Sequence, residues 1–269
     1  MQTPLYIARI TIALCFLLYA SWSDYKTREV SNTVWEIFAP TAFALTVIDI
    51  YINDSTLLPL YGTCIGLTVA ISLALFYSGG FGGADSKALM CLALALPFYP
   101  TNASFPLLGQ ASPISNAFFP VTVFSNSVVL AAASAILILL YNLLSHGKNG
   151  KTLFEGNHKN EPFWKKTLVL VTGYKMPIAK LKEKWHIYPL EDIETNAEGT
   201  ATRKLILLPK DEGRNEVIQR LDNAAAEGTI QQNVWATPGL PMLIFITAGL
   251  VFAFIFGDIV WTCIRLLLG

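Results

Sequence analysis

AFFPVTVFSNSVVLAAASAILILLYNLL, residues 117–144, runs for 28 residues without one charged side chain. A helix needs about 20 apolar residues to cross the hydrocarbon core of a bilayer, so this stretch is long enough to cross with tilt or to protrude. Four more runs of similar character lie outward from it: Pro4 to Ser23, Thr33 to Ile52, Leu57 to Tyr77, and Pro241 to Leu268. A shorter one, Ala84 to Tyr99, lies between the third and fifth. The whole chain has 269 residues, of which 53% are hydrophobic and 14% charged, against roughly 25% charged in average soluble domains. That excludes disorder and argues against an ordinary soluble enzyme. The 19 basic and 19 acidic residues balance, which excludes a nucleic-acid partner recruited by bulk charge.

The charge is crowded into one stretch. His146 to Thr237 holds 14 of the 19 Lys and Arg and 12 of the 19 Asp and Glu. The expected architecture is therefore an all-α polytopic membrane protein of six transmembrane helices, with a small α+β insert before the last helix. Its parts are residues 1–145, carrying five helices, the insert 146–237, and residues 238–269 with the sixth helix. Within the insert, residues 146–161 read as a linker, KTLVLVTGY (166–174) as a strand, Ile178 to Trp185 as a short helix, RKLILL (203–208) as a second strand, and Asn215 to Glu227 as a helix ended by Gly228. The first run is not expected to be a cleaved signal, because its one early charge, Arg9, lies inside the apolar run and not before it.

Short-loop Lys and Arg orient the spans. Lys26 and Arg28 follow the first span, Lys87 opens the fourth, and the insert follows the fifth. These connections alternate with Asn53 to Thr56 and Pro100 to Asn116, which hold no Lys or Arg. The expected N-terminus is outside, and the basic connections, insert included, are cytosolic. Sequons at Asn53 and Asn102 fall in the outer loops.

Several polar residues have structural readings. Thr33 and Glu36 read as a capping box opening the second span, Asp49 and Asp54 as its outer end, and Asp258 as an interfacial residue beside Trp261. Gly62 and Gly66 have the spacing of close helix packing. Cys15, Cys64, Cys91 and Cys263 each lie alone in an apolar run and read as packing residues; His146, His158 and His186 are scattered. No metal site and no cofactor are expected.

Two aspartates remain. Asp24 closes the first span in SWSD (21–24), and Asp85 opens the fourth in GGFGGADSK (79–87). An orientation fixed by Lys and Arg alone puts both at one depth on one face. Two carboxylates that meet share a proton: the ionised one takes a proton from an attacking water, and the protonated one donates to the peptide carbonyl. The glycines before Asp85 permit a bend and close backbone approach. Aspartates are also common at helix ends, so from the residues alone an ordinary interfacial pair stays equally open.

GGFGGADSKAL (79–89) resembles the signature of the GxGD-type aspartyl proteases, specifically the prepilin peptidase group. Residues 24–35, DYKTREVSNTVW, are similar to the segment that carries the first catalytic aspartate there. The layout is most like that of the archaeal preflagellin peptidases. The glycine before the second aspartate is Ala84 here, and the Cys-rich region of bacterial members is missing. The resemblance implies a membrane aspartyl endopeptidase with Asp24 and Asp85 catalytic, Gly82, Gly83 and Lys87 supporting, and cleavage without methylation. It implies archaellin or type IV pilin-like precursors as substrates, cut at the cytosolic face between a short basic leader and an apolar helix. The alternatives are a transporter or receptor without catalysis, since intramembrane acids also mark ion paths, and a presenilin-like protease cutting inside the bilayer.

Overall fold

The computed structural model describes residues 4–79, 81–100, 112–147, 153–195, 201–206, 213–238 and 241–268. Residues 101–111 of the expected outer loop, 148–152 of the linker, and Leu207 and Leu208 lie outside these. The chain divides into two units, Met1–Ala131 with Pro241–Gly269, and Ala132–Leu240.

The first unit is helical. Its long helices are α1 (Pro4–Thr27), α2 (Asn32–Asn53) and α3 (Leu58–Tyr77), which continues a 3-10 turn at Ser55–Leu57. Then come α4 (Gly83–Ala95), the short α5 (Pro113–Ala117), and α6 (Phe119–Gly147), which runs on into the second unit. The spans Pro4–Thr27, Asn32–Asn53, Ser55–Tyr77 and Phe119–Ser145 are long and apolar enough to cross a membrane. Near the C-terminus α10 (Met242–Phe256) and α11 (Ile259–Leu268) form a fifth candidate bent by 54°.

The fourth run is helical for only 13 residues, about 20 Å of rise, short of a full crossing. Proline disfavours the helical region for the residue before it, and Leu96, which precedes Pro97, leaves the helix at φ −134°. The freed carbonyls are satisfied inside the protein. Ala95 O accepts from Arg9 Nε at 2.9 Å and Thr46 Oγ1 at 3.2 Å, and Leu94 O accepts from Tyr61 OH at 3.0 Å. Arg9 is buried and also pairs with Asp49 at 2.5 Å. The short helix is thus held at its broken end by α1, α2 and α3. Its Ala88, Leu89, Leu92 and Ala95 are fully buried in a core with Ala13 and Leu17 of α1, Phe38 of α2 and Leu250 of α10.

The break between α10 and α11 falls at Gly257, whose φ of +77° suits glycine. Asn126 of α6 satisfies both sides of it, donating to Gly257 O at 2.9 Å and accepting from Ile259 N at 3.0 Å. Asp258 is buried and accepts from Ser112 Oγ at 2.7 Å and Trp261 N at 2.9 Å. It acts as the cap of α11, with its side chain turned into the protein.

Three expectations in this unit need correction. Helix α2 is capped two residues earlier than Thr33: Ser31 Oγ accepts from Thr33 N at 3.4 Å, and Glu36 is exposed. Gly62 and Gly66 face open space, whereas a Cβ on Gly249 of α10 would meet Val123 O of α6 at 2.7 Å, so the close helix approach is there. Cys64 and Cys91 are buried as expected, but Cys15 and Cys263 are exposed on the outer faces of their helices.

The second unit carries the small sheets. A 3-10 turn (Gly156–Asn160) leads to α7 (Phe163–Thr172), followed by β1 (Tyr174–Pro177), α8 (Ile178–Glu183), β2 (Ile187–Pro189), β3 (Glu191–Thr195), β4 (Ala201–Leu205), α9 (Arg214–Ala226) and β5 (Asn233–Pro238). Strand β5 lies between β1 and β2, all antiparallel, with Tyr174 opposite Ala236 and Ile187 opposite Pro238; β3 and β4 form a separate hairpin. The strand expected over 166–174 is the helix α7. Pro162 precedes its first turn and Gly173 ends it, and Gly173 is confined because a Cβ there would meet Ala236 O at 2.8 Å. Leu190, Leu205 and Trp235 are buried together with Val169 of α7. Beneath them Glu191 is fully buried, accepting from Arg203 Nε and Trp235 N, with His158 Nε2 at 3.3 Å.

Candidate active site

The first carboxylate stands on the last turn of α1. That turn is fixed by a left-handed residue, Arg28 at φ +56°, whose N–H bonds to Asp24 O at 2.9 Å. A non-glycine residue in that region is uncommon, and here it closes the helix in the manner of an αL cap. The flanking hydroxyls brace the exit: Ser23 Oγ donates to Glu29 O at 2.8 Å and Thr27 Oγ1 to the same oxygen at 3.0 Å. One turn earlier Ser21 Oγ donates to Leu243 O of α10 at 2.9 Å. Asp24, half-buried, is therefore carried on a helix end tied both to its own loop and to α10, and the Arg28 charge acts on it.

The second carboxylate sits in the first turn of α4. The chain leaves α3 at Gly79, φ +75°, and Gly82 becomes the N-cap of α4. Gly82 N donates to Asp85 Oδ2 at 3.1 Å, so Asp85 reaches back to satisfy one of the orphan N–H groups that open a helix. Ser86 Oγ donates to Ser72 O at 3.2 Å and pins the turn to α3. A Cβ on Gly82 would stand 3.0 Å from Asp85 Oδ2, while one on Gly83 would meet only Phe76 at 3.7 Å. Of the two expected supporting glycines, Gly82 has the carboxylate against it and Gly83 is an ordinary first helical residue.

Helices α1 and α4 pack directly. The two aspartates singled out in the sequence, 61 positions apart in the chain, thus stand at the ends of two helices in contact. Lys87 goes elsewhere. Two residues on is about 200° around a helix, and Lys87 Nζ donates to Asn32 Oδ1 at the start of α2, 2.7 Å away. It lines a groove of about 590 Å³ between α2, α3 and α4 with Trp35, Glu36, Met90 and Leu94. Arg28, Ser23 and Ser86, which shape the two helix ends, carried no signal in the sequence beyond the charge of Arg28. Among the described residues no group of three or more His, Cys, Asp or Glu is placed to hold a metal ion.

The sequence of the C-terminal part, residues 165–259, matches the archaeal peptidase A24 C-terminus, type II. Over 256 residues the chain is 27% identical to a preflagellin peptidase of Methanococcus voltae, covering 92% of this chain and 94% of that one. It is 26% identical over 250 residues to a preflagellin peptidase of Methanocaldococcus jannaschii, covering 90% and 91%. A prepilin peptidase of Methanothermobacter thermautotrophicus is 27% identical over 144 residues, which is 50% of this chain and 35% of that one. Residues 11–145 match the type IV leader peptidase family; that match runs from α1 through α6, takes in both aspartates with the turns that carry them, and places this chain in the type IV leader peptidase family.

Proposed function

We propose that the protein is a membrane aspartyl endopeptidase that removes the short basic leader from archaellin or type IV pilin-like precursors, with Asp24 and Asp85 as its catalytic pair. The observation that carries the reading is that the two carboxylates stand at the ends of separate helices, α1 and α4, that pack against each other. One carboxylate accepts a proton from water as the water oxygen attacks the scissile carbonyl carbon. The other gives its proton to the carbonyl oxygen. When the tetrahedral diol collapses, the C–N bond breaks, the leaving nitrogen takes up the proton first removed from water, and a diol hydroxyl returns its proton to the carboxylate that had given one, so the pair again holds a single proton. Neither residue needs a fixed role between turnovers, because the proton belongs to the pair.

In this reading the chain crosses the membrane six times, with α4 and the non-helical residues 96–100 making the fourth crossing and the α10–α11 pair the sixth. The N-terminus is outside, and both aspartates and the insert are on the cytosolic side. The basic leader of a precursor then lies in the cytosol and its apolar helix in the bilayer, with the junction at the depth of the pair. The relatives named preflagellin and prepilin peptidase support this substrate class.

The test is processing of an archaellin precursor by the purified protein in lipid. Asp24→Asn and Asp85→Asn are each expected to lower cleavage by at least the 10²–10⁴-fold that general acid–base groups contribute, with unfolding temperatures near that of the wild type. Cleavage at the native rate by either variant ends the proposal.

A further inference from the structure

We infer that α7 is a membrane-surface helix that lays its outer face into the bilayer interface and rests the second unit on the lipid. Helix α7 is built inside out for a water-soluble module. A surface helix ordinarily turns its apolar stripe to the core and its charges outward. Here Phe163, Trp164 and Leu168 are 83%, 55% and 45% exposed. With Thr167 and Val171 they occupy one continuous arc of about 140° at 100° per residue. No charged residue falls in that arc.

The lysines occupy the other side. Lys165 Nζ pairs with Glu161 at 3.1 Å, and Glu161 in turn accepts from Leu205 N of β4 at 3.0 Å. Lys166 Nζ donates to Lys159 O at 2.6 Å and stands over the Phe154 ring. Val169 is fully buried. The exposed threonines also hide their polarity. Thr167 Oγ1 donates to Phe163 O at 3.0 Å and Thr172 Oγ1 to Leu168 O at 2.8 Å, the back-bonding that suits hydroxyls on helices in lipid. What the arc offers is ring, alkyl and methyl surface.

The depth of α7 follows from Asn142. This buried side chain on α6 donates to Leu170 O at 2.8 Å and to Gly173 O at 2.7 Å, so the C-terminal end of α7 is clamped to α6 at that level. Residue 142 lies inside the apolar span Phe119–Ser145, three residues from its end, about 5 Å at 1.5 Å per residue. At the same level Leu140, Tyr141 and Leu144 of α6 are exposed. Amphipathic helices bury their apolar faces about 5–10 Å into the boundary of headgroups and acyl chains, and Trp is favoured there. The position of the clamp and the character of the arc therefore point to one occupant, the lipid surface. The interaction is apolar, because the lysines are turned inward.

The full chain, reconstituted in phosphatidylcholine vesicles with the four native cysteines replaced by serine or alanine, tests this by nitroxide labelling. Labels go at Trp164→Cys and Leu168→Cys, with Leu137→Cys on α6 as the lipid reference and Gln219→Cys on α9 as the water reference. Collision with oxygen, which enters lipid, is compared with collision with a water-soluble nickel chelate. The expected oxygen-to-nickel ratio at 164 and 168 is close to that at 137 and several-fold above that at 219. It is unchanged when phosphatidylglycerol is added. Water-like ratios at 164 and 168 with a lipid-like ratio at 137 overturn the inference and leave the membrane reading of α6 intact. A water-like ratio at 137 removes the premise itself. Protection of 164 and 168 from both reagents means that a protein covers the face, and a lipid ratio only with phosphatidylglycerol means that charge, not the apolar arc, holds it; each overturns the inference. If the cysteine-free chain fails to fold, brominated phosphatidylcholine quenching of the native protein against Trp164→Phe decides the same question. Loss of a strongly quenched component in the variant is expected, and equal quenching in both refutes the inference.

Discussion

Gly82 and Asp85 are in mutual contact at the mouth of α4: the Gly82 N–H donates to Asp85 Oδ2 at 3.1 Å, and any Cβ at position 82 would stand 3.0 Å from that same oxygen. The backbone of Gly82, at φ −71° and ψ 159°, is open to any residue, so the demand for glycine is one of space and not of backbone conformation. The displaced group would be the side chain proposed to do chemistry.

Gly82→Ala is therefore expected to slow precursor cleavage by roughly 2- to 10-fold, the equivalent of the ~0.5–1.5 kcal/mol cost of an off-rotamer side chain. Gly83→Ala, with ordinary contact to Phe76 at 3.7 Å, is expected to stay within about twofold, since alanine is the better helix former. Steady-state cleavage rates of the two variants measure this. A larger loss in Gly83→Ala than in Gly82→Ala would show that the bend, and not the space beside Asp85, sets the rate.

The other membrane acids behave differently from the pair. Asp49 is a buried partner of Arg9 at 2.5 Å, and Asn53 Nδ2 donates to it at 2.9 Å. From the sequence, Asp49 reads as the outer end of the second span, and its change to Asn is expected to leave cleavage intact. The ion pair alters that expectation, because removing one partner of a buried pair costs about 3–5 kcal/mol. Asp49→Asn and Arg9→Met should each lower the unfolding temperature and the yield of folded protein. The double variant Arg9→Met with Asp49→Leu should be more stable than either, because no lone charge is left buried. Thermal unfolding in one detergent checks the order. If the single variants unfold with the wild type while cleavage is lost, Asp49 has a part in the reaction.

What was legible in the sequence was what depends on composition along a single segment. The uncharged 28 residues at 117–144 could only become a long apolar helix, and α6 covers all but the first two of them. Asp24 and Asp85 could be singled out because each stands at the end of a run that forms a helix. What depended on distant partners was hidden. The Arg9–Asp49 pair joins residues 40 apart, and nothing local distinguishes Asp49 from Asp54, which accepts only local bonds from Thr56, from its N at 3.1 Å and its Oγ1 at 2.5 Å. The period of KTLVLVTGY misled because Val169 and Val171 are good strand formers, while the burial of Val169 among Leu190, Leu205 and Trp235 favours the helix. Strand β5, NVWATP, is too short to show a period and exists by pairing on both sides.

The buried polar cluster of the second unit sets an acid limit on its stability. His158 is pushed down to about 4 from 6.5, first by burial and next by the Arg203 charge. Between these values the unfolded chain binds a proton that the folded one does not, so stability is full above pH 6.5 and is lost as pH falls toward 4. The span corresponds to on the order of 3 kcal/mol at most. Burial raises Glu191 above 4.5; its sign is opposite, since its contribution is lost as pH rises. Replacing His158 separates the two. Unfolding of the wild type, followed by tryptophan fluorescence across pH 4–6.5, should become easier as pH falls. His158→Gln should flatten that slope, whatever it does to stability at neutral pH. An equal slope in the variant would assign the acid sensitivity to another group.

The shared face of Asp24 and Asp85 rests on the orientation of the spans, and single-cysteine labelling in intact cells examines it directly. Lys26, exposed two residues after Asp24 with its ammonium over the Trp22 ring at 4.3 Å, belongs to the same helix end as the first aspartate. Lys159 is exposed in the second unit. Ser104 falls in the connection between the fourth and fifth spans. Lys26→Cys and Lys159→Cys should react with a membrane-impermeant thiol reagent only after lysis, and Ser104→Cys should react in intact cells. Cys15 and Cys263 must be replaced first, because both are exposed; neither packs in the core, so serine or alanine should be accepted at both. The reverse pattern at all three sites would put the pair outside and deny it a leader held in the cytosol. Opposite labelling of Lys26 and Lys159 would mean an odd number of crossings between them. The 13-residue α4 is where that number is most exposed to change, since residues 96–100 must complete its passage. A re-entrant α4 would leave Asp85 where it is and keep it beside Asp24, but would carry Ser104 to the same side as Lys26. Labelling of Ser104 therefore separates a chain in which α4 crosses from one in which it dips and returns, and only the first gives the orientation proposed for cleavage.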